Sequence, residues 1–195
     1  MDLRFAIASR RQCKSEIANR KSQMFAALLL SSAALGAEPG PVDAKAEVYF
    51  SPGSSCTAAV VREIGEAKRS VLVQAYSFTS PTIAQAMVDA HKRGVRVKVI
   101  LDKSQRSDPE SCADFLINAG VQVRIDSKHA KAHNKIVIID DEVVLTGSFN
   151  LNSPDEERIA DNLLVLHSKE LAARYIENWM EHHGHAKKYE AKEQP

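Results

Sequence analysis

Residues 133–150 read H-N-K-I-V-I-I-D-D-E-V-V-L-T-G-S-F-N, and this stretch decides how the rest of the 195-residue chain is read. Ile136, Val137, Ile138 and Ile139 are four consecutive β-branched residues, the pattern of a strand covered on both faces. Asp140 and Asp141 interrupt the run and Glu142 to Thr146 supplies a second β-rich segment, which predicts a hairpin turning at the two aspartates. Pairing Ile139 with Glu142 sets His133 opposite Ser148 and Lys131 opposite Asn150, with opposed side chains roughly 5 Å apart. Side chains alternate along a strand, so His133 and Lys135 share a face, as do Ser148 and Asn150. In that register an imidazole, an ammonium, a hydroxyl and a carboxamide gather at one spot, a set suited to holding and attacking a phosphate. A slip of one residue is expected to scatter them.

The spacing H-x-K-x-x-x-x-D, then six residues and G-S-x-N, resembles the signature of the phospholipase D superfamily, carried here by His133, Lys135, Asp140, Gly147, Ser148 and Asn150. The resemblance extends from Ala46 to about Trp179, to the small secreted bacterial endonucleases of that superfamily, which likewise hold a single copy of the motif. A buried hairpin whose His merely caps a strand leaves Lys135 and the Gly-Ser-x-Asn run unexplained. The family mechanism, mapped onto these positions, implies that His133 attacks phosphorus as a neutral imidazole and forms a phosphohistidine. It implies that Lys135 neutralises the phosphate while Ser148 and Asn150 add hydrogen bonds.

Members with two motifs use the second His as the acid for the leaving oxygen. With one motif, the implied arrangement is a homodimer that brings His133 of both chains to one shared site, one neutral and one protonated. The family places a Glu after G-S-x-N to orient the imidazole. Asp161, one methylene shorter, stands in the matching Ala160-Asp161-Asn162 segment, either as that orienter or as a solvated loop charge. Asp140 either fixes the turn beside a cation or touches substrate. This scheme calls for no cofactor and no metal.

Working outward, residues 1–37 resemble a targeting segment. Arg10, Arg11, Lys14, Arg20 and Lys21 are cationic, Met24 to Leu35 is apolar, and Gly36 and Ala37 are small residues suited to cleavage. A secretory signal implies a periplasmic or secreted protein; an uncleaved anchor is the rival, and Met24 is an alternative start. Residues 38–45 (EPGPVDAK) read as a linker, and 46–195 as one phosphodiesterase domain with room for a sizeable core. Six of the 26 Lys and Arg but only two of the 25 Asp and Glu fall in residues 1–37, so the remainder is net acidic. Any grip on nucleic acid must then come from a local patch rather than from the field of the whole molecule.

Strands are expected at Glu47–Phe50, Val71–Tyr76, Val95–Leu101, Val121–Ile125 and Leu163–Leu166. Helices are expected at about Thr57–Lys68, Pro81–Arg93, Pro109–Ala119, closed by Gly120, and Lys169–His182. This alternation predicts an α/β fold, a mixed β-sheet flanked by helices on both faces, which is also the fold the resemblance implies. Cys56 and Cys112 are left open between a disulfide and separate packing roles. His182, His183 and His185 read as a frayed, solvated tail without an acidic partner at ligand spacing, His129 as a loop residue near the site, and His91 and His167 as surface positions.

Lys103, Arg106, Lys128 and Lys131 fall where open α/β sites lie and form a rim able to track a nucleic-acid backbone without reading bases. The expectation is a metal-independent phosphodiesterase, a non-specific endonuclease on DNA, with RNA as a further candidate substrate, and with no stable membrane association once the leader is removed. A phospholipase using the same site, and a nucleic-acid or phospholipid binding module without turnover, are the rival readings.

Overall fold

The computed structural model describes residues 40–53, 55–152 and 158–191. The expected targeting segment lies outside them, as do Glu38 and Pro39 of the linker and residues 153–157 of the loop after Asn150. From Gly40 onward the chain forms one compact unit.

The elements run β1 (Lys45–Ser51), α1 (Cys56–Glu66), β2 (Ser70–Ala75), α2 (Pro81–Lys92), β3 (Arg96–Asp102), α3 (Ala113–Asn118), β4 (Gln122–Asp126), β5 (Lys135–Ile139), β6 (Val143–Gly147), β7 (Asp161–His167), α4 (Lys169–His185) and β8 (Lys187–Lys188), with a 3-10 turn at Lys103–Arg106. Serines start the longer helices: Ser55, Ser80 and Ser168 accept from the amides of Ala58, Ile83 and Leu171, satisfying donors that a helix start leaves free. The third helix begins at Ala113 rather than Pro109. The Asp108 carboxylate takes the Glu110 amide and the Cys112 amide bonds to Phe78 O, so this stretch spends its donors outside a helix.

The strands form one sheet in the order β1-β7-β6-β5-β2-β3-β4-β8. β2, β3 and β4 are parallel, joined through helices, and the other pairings are antiparallel. Alternation along β2 divides the core. Val71, Val73 and Ala75 join the cluster that includes residues of α1, α2 and α3, while Leu72 joins Ile100, Ile136, Ile138 and Val144 beneath Ala172 and Trp179 of α4. The fold is therefore the expected mixed sheet with helices on both faces, and the four-residue β-branched run is buried because both faces are covered.

Two expectations are corrected. The hairpin register differs by one: Ile139 stands opposite Val143, not Glu142. Asp140 and Asp141 both adopt left-handed backbone (φ 53° and 59°), and the Glu142 amide closes the turn on Ile139 O at 3.0 Å. Pairing resumes one residue later, so Glu142 is the extra residue of a bulge. The C-terminal histidines are also not a frayed tail. α4 continues through His185, β8 pairs with β4, and Tyr189 is buried with its hydroxyl donating to Asp114 at 2.9 Å. His183 stacks on the Trp179 ring, centroids 4.8 Å apart. Cys56 and Cys112 are buried thiols, and burial pushes the Cys112 thiol up to about 11.

Candidate active site

The carboxyl ends of β2, β3 and β4 lie at one end of the sheet, the position where open α/β sheets bind ligands. The loop 127–134 crosses that end and delivers His133. Its course is fixed by backbone bonds: Ala132 N donates to Asp102 Oδ2 at 2.7 Å, and Tyr76 N donates to Asn134 O at 3.0 Å. Asp102 is buried, and although burial opposes its charge, the amides of Ser104 and Ala132 hold its carboxyl below the usual range.

The register slip leaves Ser148 linked to Lys135 through Asp161, because Ser148, like His133 and Asn150, lies outside the hairpin ladder while Lys135 is held in β5 by its pairing with Ala75 of β2. His133 precedes β5, while Ser148 and Asn150 follow β6. Separate bonds seat this second loop: Phe149 N on Asn162 O, and the Thr79 and Ser80 amides on Leu151 O. Gly147 is where the hairpin crosses close to β7. A Cβ there would meet the Asn162 carbonyl oxygen at 2.2 Å, so only glycine fits.

Lys135 Nζ lies 3.4 Å from each ring nitrogen of His133 and donates to its carbonyl at 3.3 Å. Tyr76 closes the other side, its ring 4.5 Å from the His133 ring and 5.5 Å from Lys135 Nζ. Burial pulls the Lys135 ammonium below its ordinary range, while the Asp161 charge pushes it back up. Ser148 Oγ donates to Asp161 Oδ1 at 2.7 Å and accepts from the Asn162 amide at 3.0 Å. Asn150 is half-buried, and its buried Oδ1 has no hydrogen-bond partner among the described residues.

The structure thus brings His133 and Lys135 together and couples Lys135 to Asp161 and Asp161 to Ser148. Asp140 sits at the opposite end of the hairpin from this site. Its carboxylate accepts from the Lys68, Arg69 and Ser70 amides, while Arg69 donates to its carbonyl. It pins the turn to the start of β2, and those amides keep its carboxyl low against the opposing effect of burial.

Tyr76 and Asp102 were missed as site residues by the motif reading. The available signal was their position at strand ends facing the motif. His129 was placed near the site, but its partner was not foreseen: its Nδ1 lies 3.2 Å from Asp126 Oδ2, an oxygen that His182 and His185 also approach, at 2.7 and 3.1 Å.

Comparison with known proteins agrees with this geometry. A family model described as "Cardiolipin synthase, PLD-like domain" matches residues 60–183. A phospholipase D of Rickettsia bellii is 38% identical over 136 residues, covering 70% of this chain and 68% of that protein. A mitochondrial cardiolipin hydrolase of Mus musculus is 30% identical over 144 residues, covering 74% and 64%. Among solved structures, the phospholipase D family member Nuc from Salmonella typhimurium superposes with a TM-score of 0.72 at 34% identity, over 76% of this chain and all of that one. NucT from Helicobacter pylori shares the fold, with a TM-score of 0.69 at 22% identity over 75% of this chain and all of that one. Motif, fold and relatives converge, and the chain belongs to the phospholipase D superfamily of phosphodiesterases.

Proposed function

We propose that the protein is a non-specific endonuclease, cleaving phosphodiesters of DNA, and of RNA, through a phosphohistidine on His133. The observation that carries this reading is the Lys135 ammonium held 3.4 Å from the His133 imidazole in a partly desolvated site. A cation kept in such a place without a full counter-charge is suited to an arriving anion. His133 is the nucleophile. Lys135 neutralises the equatorial oxygens, helped by the Ser148 hydroxyl and the Asn150 amide. Asp161 positions Ser148 directly and sets the charge felt by Lys135. Attack forms the N–P bond as the P–O bond to the leaving alkoxide breaks; water then displaces the imidazole from phosphorus.

The leaving alkoxide needs a proton from the side opposite the attack, which one His133 cannot supply at that moment. A second copy of the chain supplies it. Val48, Phe50 and Ile159 are large apolar side chains, 51%, 60% and 45% exposed. They lie beside the site, since Phe50 pairs with Asn162 and Ser51 with Asp161 in the β1–β7 ladder. An exposed apolar edge flanking a half-complete site suits a two-fold interface.

One feature favours a nucleic acid over a lipid: Lys103, Arg106, Lys128 and Lys131 are exposed at the same end of the sheet, a rim for a polyanionic backbone. The phospholipase D names of the Rickettsia relatives make lipid hydrolysis the second reading.

The test is plasmid nicking in EDTA by the wild type and by His133→Ala, with phosphatidylcholine hydrolysis measured beside it. Nicking by the wild type alone, with little lipid turnover, is the expected result; the reverse preference overturns it. Mixing wild-type and His133→Ala subunits tests the shared site: activity should fall as the square of the wild-type fraction, whereas a linear fall excludes the dimeric centre.

A further inference from the structure

We propose that Asp126, His129, His182 and His185 form a closed binding site for a zinc-type divalent cation, tying the loop that presents His133 to the end of α4. The four ligand atoms, one from each residue, lie within 4.8 Å of one another. Asp126 is fully buried, and His129, His182 and His185 are half-buried around it.

The convergence is unusual for a simple hydrogen-bond network. His129 Nδ1, His182 Nδ1 and His185 Nε2 approach the same carboxylate oxygen, Oδ2, at 3.2, 2.7 and 3.1 Å. Oδ1 is already taken by the Lys128 amide at 3.0 Å. One oxygen has two lone pairs, so three N–H donors crowd it and turn their dipoles head to head. A cation among the four atoms removes the conflict, because each imidazole then turns a lone pair inward and the carboxylate supplies negative charge. Zinc–nitrogen and zinc–oxygen bonds of about 2.0–2.1 Å in a tetrahedron separate neighbouring ligand atoms by about 3.3–3.4 Å. The three nitrogens here stand 2.7–3.2 Å from Oδ2, with all four atoms within 4.8 Å, so binding needs only a small outward shift of the rings.

Three imidazoles and one carboxylate select a borderline transition ion over magnesium or calcium, which favour oxygen sets. With all four positions filled by protein, no coordination position is left for water, so the ion is structural rather than catalytic. Asp126 ends β4, His182 and His185 are on the last turn of α4, and His129 lies four residues before His133. The Lys103 ammonium donates to His129 O at 3.1 Å and adds a further tie to the loop. The other carboxylate–imidazole group among the described residues, Glu47, Glu63 and His167, has the Arg62 guanidinium bonded to both carboxylates at 2.8 and 2.7 Å, so its cation is already in place.

The test uses the full, untagged chain, stripped with a chelator, loaded with Zn2+, desalted and read for metal by mass spectrometry. The wild type and His183→Gln should each retain one zinc per chain, because His183 faces Trp179 rather than Asp126. His182→Gln and His129→Gln should lose it, with affinity falling by more than the roughly 10- to 100-fold that changes outside the ligand sphere cost. Zinc should raise the wild-type melting midpoint by roughly 5–10 °C at a hundredfold excess over Kd. Co2+ in its place should give the intense visible bands of a tetrahedral centre. Should His182→Gln fail to fold, His129→Gln and the wild-type cobalt spectrum still decide the matter. Wild type retaining no more zinc than the ligand variants, or cobalt without tetrahedral bands, overturns the site. These readouts are metal content, melting and spectrum rather than turnover, so the result is independent of the nuclease reading.

Discussion

Two imidazole clusters stand at the same end of the sheet, joined by residues 127–132, and their side chains are satisfied in opposite ways. Around Asp126 a fully buried carboxylate is approached by the Lys128 amide and three imidazoles. Those contacts hold its carboxyl well below the usual range even though burial works against the charge. Around His133 the ring is exposed, the nearest group is a cation, and the balancing Asp161 is engaged mainly by Ser148. A cluster whose members satisfy each other holds shape. One whose members leave a charge poorly answered costs stability and keeps a place for an anion. Substitutions should therefore separate, with turnover lost at one cluster and stability lost at the other.

On the proposed mechanism His133→Ala should give the largest effect, a fall in kcat/KM of about ten-thousandfold to a millionfold in a nicking assay, since it removes the proposed bond-forming atom. Its melting midpoint should stay near that of the wild type, because the ring is exposed; a marked destabilisation would erase the contrast. Lys135→Met should lower kcat/KM about 100- to 1000-fold, the range for removing one group that stabilises developing charge.

The sign for stability is opposite. A lysine whose folded pKa lies below its unfolded value carries that cost in full below both values, hence at neutral pH, and sheds it as pH rises through the folded pKa. Met removes the cost, so the midpoint should rise slightly, by about 1–2 °C after allowing for solvent screening. Asp126→Ala should show the converse. Scanning calorimetry without added metal should find a loss of about 3 kcal/mol, or roughly 6–12 °C, because three imidazoles lose their common acceptor. A midpoint unchanged in Asp126→Ala would place the structural centre elsewhere.

The difference between the clusters also explains what was legible in the sequence. His133, Lys135, Gly147, Ser148 and Asn150 lie within eighteen residues, so local spacing exposes them, and the β-branched run at 136–139 reports the covered strand directly. Asp126 and His182 are 56 residues apart and meet only because β4 and the end of α4 share one end of the sheet. No local pattern carries that distance. What holds the end of α4 in place, β8 pairing with β4 and Tyr189 bonding to Asp114 of α3, is long-range too. The hairpin slip is likewise a backbone effect: two left-handed aspartates followed by a bulge at Glu142 are compatible with the same string that fits a two-residue turn. Ser148 stays linked to Lys135 through Asp161 despite the slip, because loop bonds rather than the hairpin ladder seat His133, Ser148 and Asn150.

The smallest effect tests the one partner common to both halves of the active cluster. Asp161 accepts from Ser148 at 2.7 Å and raises the Lys135 pKa against the larger effect of burial. Asp161→Asn keeps the shape and removes the charge, so Lys135 should titrate at lower pH than in the wild type in an NMR titration of its side-chain signals. If Asp161 acts through Lys135 and Ser148, as the contacts place it, the His133 ring signals should keep their wild-type chemical shifts at fixed pH. If instead it orients the imidazole, removing the carboxylate frees the ring, and the His133 ring signals should move at that same pH. An unmoved Lys135 with a shifted His133 would therefore assign Asp161 to the imidazole and leave the ammonium answered by burial alone, which would make the contrast with Asp126 sharper still.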